Sequence, residues 1–514
     1  MKRILALILA LALLLPTAWA AAEAPAAEAS AAETPRRPVM AGYDPADTGH
    51  DWNNNRFFLA METLTGQEFV YRQYKDEAEY RRFKEGLPTA ETLPAVFFKA
   101  AFSNSEVLAL YRAGVLIDLA PLLEENAPHL WQLLQEHPAW RRAITLPDGA
   151  IAALPLLDPL MANDLVWINR RWLTLLQKDV PTTPEELTEV LRAFKTQDPN
   201  RNGKQDEVPM TFTGMWELRF LQHGFGLITN DYGQTLEGER VVCGWTGEKN
   251  RAFLAWARGL MAEGLLDRTG FYATDTSRTI TDVNAAIPYG VIFGSSPMEL
   301  LPTAAAADYT ALVLRSGQAE PVYRDFMGGV AGGTFALTPA CDDPAAMLRW
   351  VDYLYTEDGC YLARSGELEV DYQRDSEGKW FWLYSPEQVL TLVQRQDTID
   401  SGTPIPGWVP ASYSLSFDNP STRPLVEDFA AVAAISREAV PQVYFTPEEE
   451  ARLAELWPPL STYCETRMTW FVTGDWPLDD EHWAEYCRET ERLGMPEVTA
   501  IWQQALDRQK EAAQ

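Results

Sequence analysis

The chain has 514 residues, with 73 acidic against 43 basic side chains and a formal net charge of −30. That excess argues against nucleic acid or an anionic membrane surface as partner, because both are held through basic patches, and it favours a neutral ligand. Five scattered cysteines (Cys243, Cys341, Cys360, Cys464, Cys487) without a C-x-x-C pair exclude the usual zinc patterns; buried free thiols are expected, with a Cys464–Cys487 bridge as the alternative.

Residues 1–20 read as a signal peptide. Lys2 and Arg3 precede an apolar run over residues 4–15, Pro16 breaks it, and Ala18-Trp19-Ala20 offers a small-x-small cleavage site. The run is shorter than the ~20 residues a spanning helix needs. Export to the periplasm or the extracellular space is therefore expected. Residues 21–38, built from Ala, Glu, Pro, Ser and Thr with two arginines, read as a flexible tether.

Beyond the tether, short apolar stretches alternate with amphipathic helices, the pattern of an α/β fold. Leu93 to Phe98 predicts a buried strand, and Ser105 leads into a helix carrying Val107, Leu108, Leu110 and Tyr111 that ends near Gly114. Asp148-Gly149 predicts a tight turn before a strand through Ile151–Leu154. Thr183-Pro184-Glu185-Glu186 has the form of a capping box, and Leu187, Val190, Leu191 and Phe194 follow at helical spacing. Asp343-Pro344 starts a helix with Met347, Val351 and Leu354 on one face and Gly359 as its stop. Thr446-Pro447-Glu448-Glu449 starts another, expected to end at Pro458-Pro459. Gly328 to Gly333 lacks the Gly-Lys-Ser/Thr ending of a phosphate loop and reads as a hinge or a close-packed strand.

The sharpest local signal runs from Asp198 to Glu207 (DPNRNGKQDE). Asp198, Asn200 and Asn202 occupy loop positions 1, 3 and 5, Gly203 permits the turn at 6, Lys204 offers its backbone carbonyl at 7, and Asp206 stands at 9. Calcium takes six to eight hard oxygens at about 2.3–2.6 Å, and this spacing wraps them around one point. Position 12 holds Pro209 where the EF-hand has its bidentate Glu, so Glu207 would have to replace it. A structural calcium ion is expected; an ordinary Asn/Gly turn is the alternative.

The stretch from Val180 to Leu187, then Phe194-Lys195, then Asp198 to Pro209, resembles the family 1 extracellular solute-binding proteins, and within them the large oligosaccharide branch with the LplA-type and alginate-binding proteins. Leu93 to Phe97, Gly114 to Leu119, Trp167 to Leu173, Gly264 to Asp267, Arg349 to Tyr355 and Phe445 to Glu449 agree in order, covering nearly the whole mature chain. The resemblance implies an α/β, two-lobed, periplasmic-binding-protein-like fold of type II, with hinge strands and extra C-terminal helices. Lobe 1 is expected over 39–155 plus about 283–340, and lobe 2 over about 156–282 plus 341–514. It also implies calcium on the same loop, a carbohydrate guest in the interlobe cleft, and the transmembrane permease subunits of an ABC importer as partner. Two departures stand out: no cysteine precedes Cys243, so the lipobox cysteine of Gram-positive members is missing, and Ala95 stands where relatives commonly carry Asp.

Sugars stack their C–H faces on aromatic rings while polar edges bind their hydroxyls. Trp167 with Asn169 and Arg170, Trp216, Trp245 and Trp408 stand beside polar residues at loop or strand ends, and are the candidate ligand contacts. Trp350, Trp457 and Trp502 lie in apolar helix patterns and are expected to be core. A glycoside hydrolase would share the aromatics. However, the five dispersed histidines include no H-E-x-x-H, and no G-x-S-x-G occurs. A monomeric binding protein without catalysis is expected, and an adhesin or sensor on the same fold is the alternative.

Overall fold

The structure, a computed structural model, describes residues 37–512 apart from 162, 273–274, 326, 385–397 and 421. The expected signal peptide and residues 21–36 of the tether lie outside the described residues. The chain divides into Met1–Arg37 and Pro38–Gln514, and every element below belongs to the second unit.

In chain order the strands are β1 (Val39–Tyr43), β2 (Val70–Tyr74), β3 (Val96–Phe98), β4 (Leu154–Leu157), β5 (Leu165–Asn169), β6 (Val208–Met210), β7 (Gln234–Glu237) and β8 (Arg240–Cys243). They continue with β9 (Tyr289–Gly294), β10 (Tyr309–Ala311), β11 (Tyr323–Asp325), β12 (Val330–Leu337), β13 (Tyr372–Arg374), β14 (Trp380–Trp382), β15 (Gly407–Trp408) and β16 (Ser436–Glu438). One sheet has the order β15-β4-β12-β3-β1-β2, and all its strands run the same way except β12. A second sheet has the order β10-β5-β9-β6, with β5 alone reversed.

The first sheet is covered on both faces around its inner strands, which explains why β3 and β4 are continuously apolar. Successive residues of a strand point to opposite sides. Thus Val96 and Phe98 join a core with Trp52, Leu348 and Trp350, while Phe97 joins Ala41, Val107 and Leu108 on the other face. The second sheet carries its own core, and the C-terminal helices Pro447–Thr473, Asp480–Arg492 and Met495–Ala512 pack into it through Leu460, Met468, Tyr486 and Leu506. These are the two lobes, and the fold is the two-lobed α/β architecture.

The expected lobe boundaries need correction. Within 283–340, β9 and β10 belong to the second sheet; within 341–514, the helices Pro344–Asp352 and Glu357–Ser365 and strand β15 belong with the first. An apolar run such as Val291–Phe293 does not say which sheet it will join, because the choice is made by its pairing with β5 and β6. The chain therefore crosses between lobes over 158–164, 325–330 and 409–423.

Three local expectations also shift. Ile151 lies before β4 because its N–H goes to Asp118 Oδ1 (3.0 Å) and its carbonyl to Leu119 N–H (2.8 Å), not to a sheet neighbour. Gly359 sits inside the helix Glu357–Ser365; a Cβ there would lie 2.0 Å from the Tyr353 carbonyl oxygen, so the glycine serves close packing and stops nothing. Pro458-Pro459 does not end its helix, which runs on to Thr473. Leu453 and Leu456 before the prolines, and Leu460, Cys464 and Met468 after them, are buried in one core, and that continuous burial outweighs the two lost hydrogen bonds.

Candidate functional site

The directions of the strands decide which edge of each sheet carries the site. Crossing 158–164 leaves the first sheet at the carboxyl end of β4 and enters the second at the amino end of β5, which is reversed. Hence the carboxyl ends of the parallel strands in both sheets face the crossing. Such edges are where open α/β sheets take their ligands.

Trp216 and Trp408 stand on these edges, on opposite lobes. Trp216 is 39% exposed and follows the carboxyl end of β6 in the short helix Gly214–Leu218. Beneath it, buried Glu217 and Arg278 pair at 3.5 Å, Thr213 N–H donates to Glu217, and Arg278 donates to Thr213 Oγ1, which holds the turn in place. Trp408 is half-buried at the end of edge strand β15.

The other four candidates are elsewhere. Trp167 is 1% exposed in the centre of the second core, and its indole N–H donates to the Gly294 carbonyl at 2.9 Å. Trp245 is fully buried between Trp457 and the Arg219 guanidinium, which lies 4.6 Å from its ring. Asn169 is buried as the N-cap of the helix Arg170–Leu175, accepting from Trp172 N–H at 3.0 Å. Arg170 is exposed, but β5 runs opposite to its neighbours, so Asn169 and Arg170 lie at the edge away from the crossing. Polar neighbours in the chain imply loop ends for Trp167 and Trp245; the indoles themselves are core.

Sequence reasoning passes over Tyr272, which is 82% exposed at the end of the turn Arg268–Phe271 that packs on the helix Gly214–Leu218, and the β13–β14 hairpin. In that hairpin Trp380 stacks on Tyr413 at 5.0 Å and supports half-buried Trp382. The alternating Trp380-Phe381-Trp382 after an Asp-Ser-Glu-Gly turn is a readable strand signal; an isolated Tyr272 is not.

The first sheet's carboxyl edge also carries a buried ionic cluster. Lys99, fully buried at a φ of 51°, donates from Nζ to Asp44 Oδ1 (2.8 Å), the Ile399 carbonyl (2.8 Å) and the Ser401 carbonyl (2.7 Å). Asp44 Oδ2 meets His50 Nδ1 at 2.8 Å and accepts from the Trp52 indole at 2.9 Å. Burial raises the Asp44 carboxyl, but the His50 bond and the Lys99 charge overcome it and hold the group below its usual range. Every oxygen of this carboxylate is satisfied, and segment 399–401 is pinned beside β1 and β3.

The 198–207 loop is different. Asp198 Oδ1 accepts from Asn202 N–H (3.2 Å), Asp198 Oδ2 from Gly203 N–H (3.0 Å), and Asn200 Oδ1 from Asn202 N–H (3.0 Å). The side-chain amides of Asn200 and Asn202 reach Asp206 at 3.3 and 2.9 Å. Both carboxylate oxygens of Glu207 are buried without a hydrogen-bond partner. Burial, with the charges of Asp198 and Asp206, pushes its carboxyl above the usual range. Among the described residues no group of three or more His, Cys, Asp or Glu side chains forms a metal cluster. The loop instead offers carboxylates mixed with amide oxygens and the Lys204 carbonyl, a set that suits a hard cation. An orphaned buried carboxylate among oxygen donors is what such a cation would complete.

All five cysteines are free thiols, and Cys464 faces Thr490 Oγ1 at 3.6 Å. Burial pushes the Cys360 and Cys464 thiols up to about 12. No helix among the described residues is long and apolar enough to cross a membrane.

No family model matches the chain. It is 23% identical over 483 residues to the fructooligosaccharide ABC transporter substrate-binding protein FusA of Streptococcus pneumoniae, covering 89% of this chain and 87% of that protein. It superposes with a TM-score of 0.74 on an HMO binding solute-binding protein from Bifidobacterium longum infantis, at 22% identity over 92% of this chain and 99% of the other. An EF-hand mutant of FusA in complex with fructo-nystose gives 0.67 at 22% identity, over 92% and 99%. The resemblance carried by the sequence motifs therefore holds: this chain shares the fold, and similarity along most of its length, of the oligosaccharide-binding branch of ABC solute-binding proteins.

Proposed function

We propose that the chain is an exported solute-binding protein of an ABC importer. It captures a carbohydrate, an oligosaccharide, between its lobes and delivers it intact to the permease subunits. The observation that carries this reading is the pair of sheets presenting their carboxyl edges, each with an accessible tryptophan, toward one crossing. Trp216 and Tyr272 supply stacking faces from one lobe; Trp408 and Trp382 supply them from the other. A guest touching both lobes shifts the population toward the closed form. The ligands of the similar proteins, fructooligosaccharide and fructo-nystose, support a neutral oligosaccharide. Contacts alone hold such a guest, and no bond is made or broken.

The 198–207 loop holds a structural calcium ion in this reading. Asp198, Asn200, Asn202, the Lys204 carbonyl, Asp206 and Glu207 are its ligands, and the unpartnered Glu207 oxygens are the main support. The ion supplies positive charge to an acidic loop, and the loop ties the helix Pro184–Thr196 to β6.

The test is a calorimetric and thermal-shift panel of neutral oligosaccharides that includes fructo-nystose, with product analysis of the same samples. Saturable binding with the sugar recovered whole supports the reading. Cleaved sugar, or no binding across the panel, overturns it.

A further inference from the structure

The two-stranded ribbon β11–β16 lies beside crossing 325–330 and has an unusual register. Its parallel pairing sets Arg324 against Arg437 and Asp325 against Glu438, like charge facing like charge in both pairs. Directly opposed like charges destabilise a ladder. The two pairs are handled differently. Arg324 reaches across to Asp231 at 2.5 Å and lies over the Phe220 ring, and Arg437 is exposed. Asp325 and Glu438 are met by backbone N–H groups rather than by an ion pair.

The carboxylate pair is built into the crossing itself. Asp325 Oδ1 accepts from Met327 N–H and Gly328 N–H, both at 2.9 Å, and so shapes the turn into β12. Gly328 and Gly329 take left-handed φ values of 60° and 74°. The Glu438 carboxyl lies over Gly328, so that a Cβ there would sit 3.0 Å from its carboxyl carbon. Gln442, four residues on, donates to the carbonyls of Met327 (2.5 Å) and Val330 (3.1 Å), and the Trp140 indole of lobe 1 donates to the Gly328 carbonyl (3.1 Å). Glu438 thus touches the segment that must bend if the lobes move.

We infer that Asp325 and Glu438 form a proton-operated clasp on this crossing, closed when Glu438 carries a proton and sprung when it is charged opposite Asp325. The inference rests on the reading that the lobes open and close. In the observed arrangement Glu438 is folded against Gly328 and stands opposite Asp325 in the ladder, the geometry we assign to the closed clasp. Burial first, then the Asp325 charge, pushes the Glu438 carboxyl up to about 7, against the lowering effects of the Gln442 N–H and the Arg142 charge. Those groups, with Asp325, are the polar and charged neighbours that act on it. Loss of the proton leaves two charges on facing residues of a hinge ribbon, and separating them turns the crossing at Gly328-Gly329. Interlobe geometry, and with it affinity for a guest, would then depend on pH around neutrality.

The experiment is small-angle scattering of the sugar-free protein across pH 5.5–8.5, for wild type, Glu438→Gln and Asp325→Asn. Wild type should change its radius of gyration with a midpoint near neutrality. Glu438→Gln should keep the low-pH value throughout, and Asp325→Asn should move the midpoint to lower pH. One linked proton can shift the equilibrium by at most about tenfold per pH unit. A flat wild-type profile, an undiminished change in Glu438→Gln, or an unmoved midpoint in Asp325→Asn would each overturn the clasp. In a parallel titration with fructo-nystose, affinity should vary with pH in wild type and be constant in Glu438→Gln. Failure of fructo-nystose to bind at any pH counts against the proposed ligand and leaves the scattering result to decide the clasp.

Discussion

Asp44 and Glu207 are both carboxylates withdrawn from water, and they differ in what receives their charge. Asp44 is met by Lys99, His50 and Trp52, and nothing is left over. Glu207 has two buried oxygens with no donor. A buried charge that the chain satisfies by itself reads as architecture, and one that it leaves unsatisfied reads as a place for something from outside. The same contrast separates the tryptophans: Trp245 is sealed in a core, and Trp216 shows a face to solvent.

The largest expected effect is on the satisfied side. Lys99→Met should lower unfolding free energy by about 3–5 kcal/mol, because it strands Asp44 without its cation. Denaturant unfolding measures it, and Asp44→Asn in the same chain should recover part of the loss. A loss below ~1 kcal/mol would break the claim that Lys99 is architectural. Trp245→Ala should likewise cost about 3–5 kcal/mol.

Buried His223 tests the same idea with a neutral ring. Its Nδ1–H donates to the Phe220 carbonyl and its Nε2 accepts from Leu314 N–H at 2.8 Å, so burial pushes its pKa down to about 4. The unfolded chain, with histidine near 6.5, takes up the proton first. Stability should therefore fall as pH drops from about 6.5 to 4, by up to ~3 kcal/mol. Glu438 acts in the opposite sense, its folded pKa being raised: it adds stability as pH falls from 7 toward the ordinary carboxylate range. Comparing Glu438→Gln with wild type over this range separates the two.

On the unsatisfied side, calcium at a hundredfold excess over its dissociation constant should stabilise the chain by about 2.7 kcal/mol. Chelator should remove that gain, and Asp198→Ala should not show it. Glu207→Gln sharpens the point, since it should raise the melting temperature of the calcium-free protein while weakening its response to the ion. The smallest effect is expected at the cleft. Trp216→Ala should weaken oligosaccharide binding by about 0.5–1.5 kcal/mol, seen calorimetrically, with the melting temperature nearly unchanged.

Much of the fold is legible in the sequence because its signals are local. Thr446 and Glu449 form the reciprocal capping box their spacing implies. At Thr183 the cap accepts from Glu186 N–H as expected, but the Glu186 carboxylate turns instead to Thr182. Which sheet takes β9, and which tryptophans end inside, depends on pairings made across long stretches of chain. Trp167 next to Asn169 looks like a polar loop end in one dimension; in three, β5 is reversed, Trp167 is a mid-strand core residue, and Asn169 lies at the edge away from the crossing. The calcium loop is readable because all its candidate ligands lie within ten residues. The clasp is not, because Asp325 and Glu438 are 113 residues apart and meet only through strand register.

The proline pair in the helix Pro447–Thr473 makes that element two spans joined under load. The first has its own start at Thr446, and Pro458-Pro459 would serve as a first turn for the second, where missing N–H groups cost nothing. Each half can wind before the other, and only docking against the core makes them one rod. The joint leaves the carbonyls of Ala454 and Glu455 without their usual helical partners, so amide exchange along the rod should divide into two blocks of protection meeting at that seam.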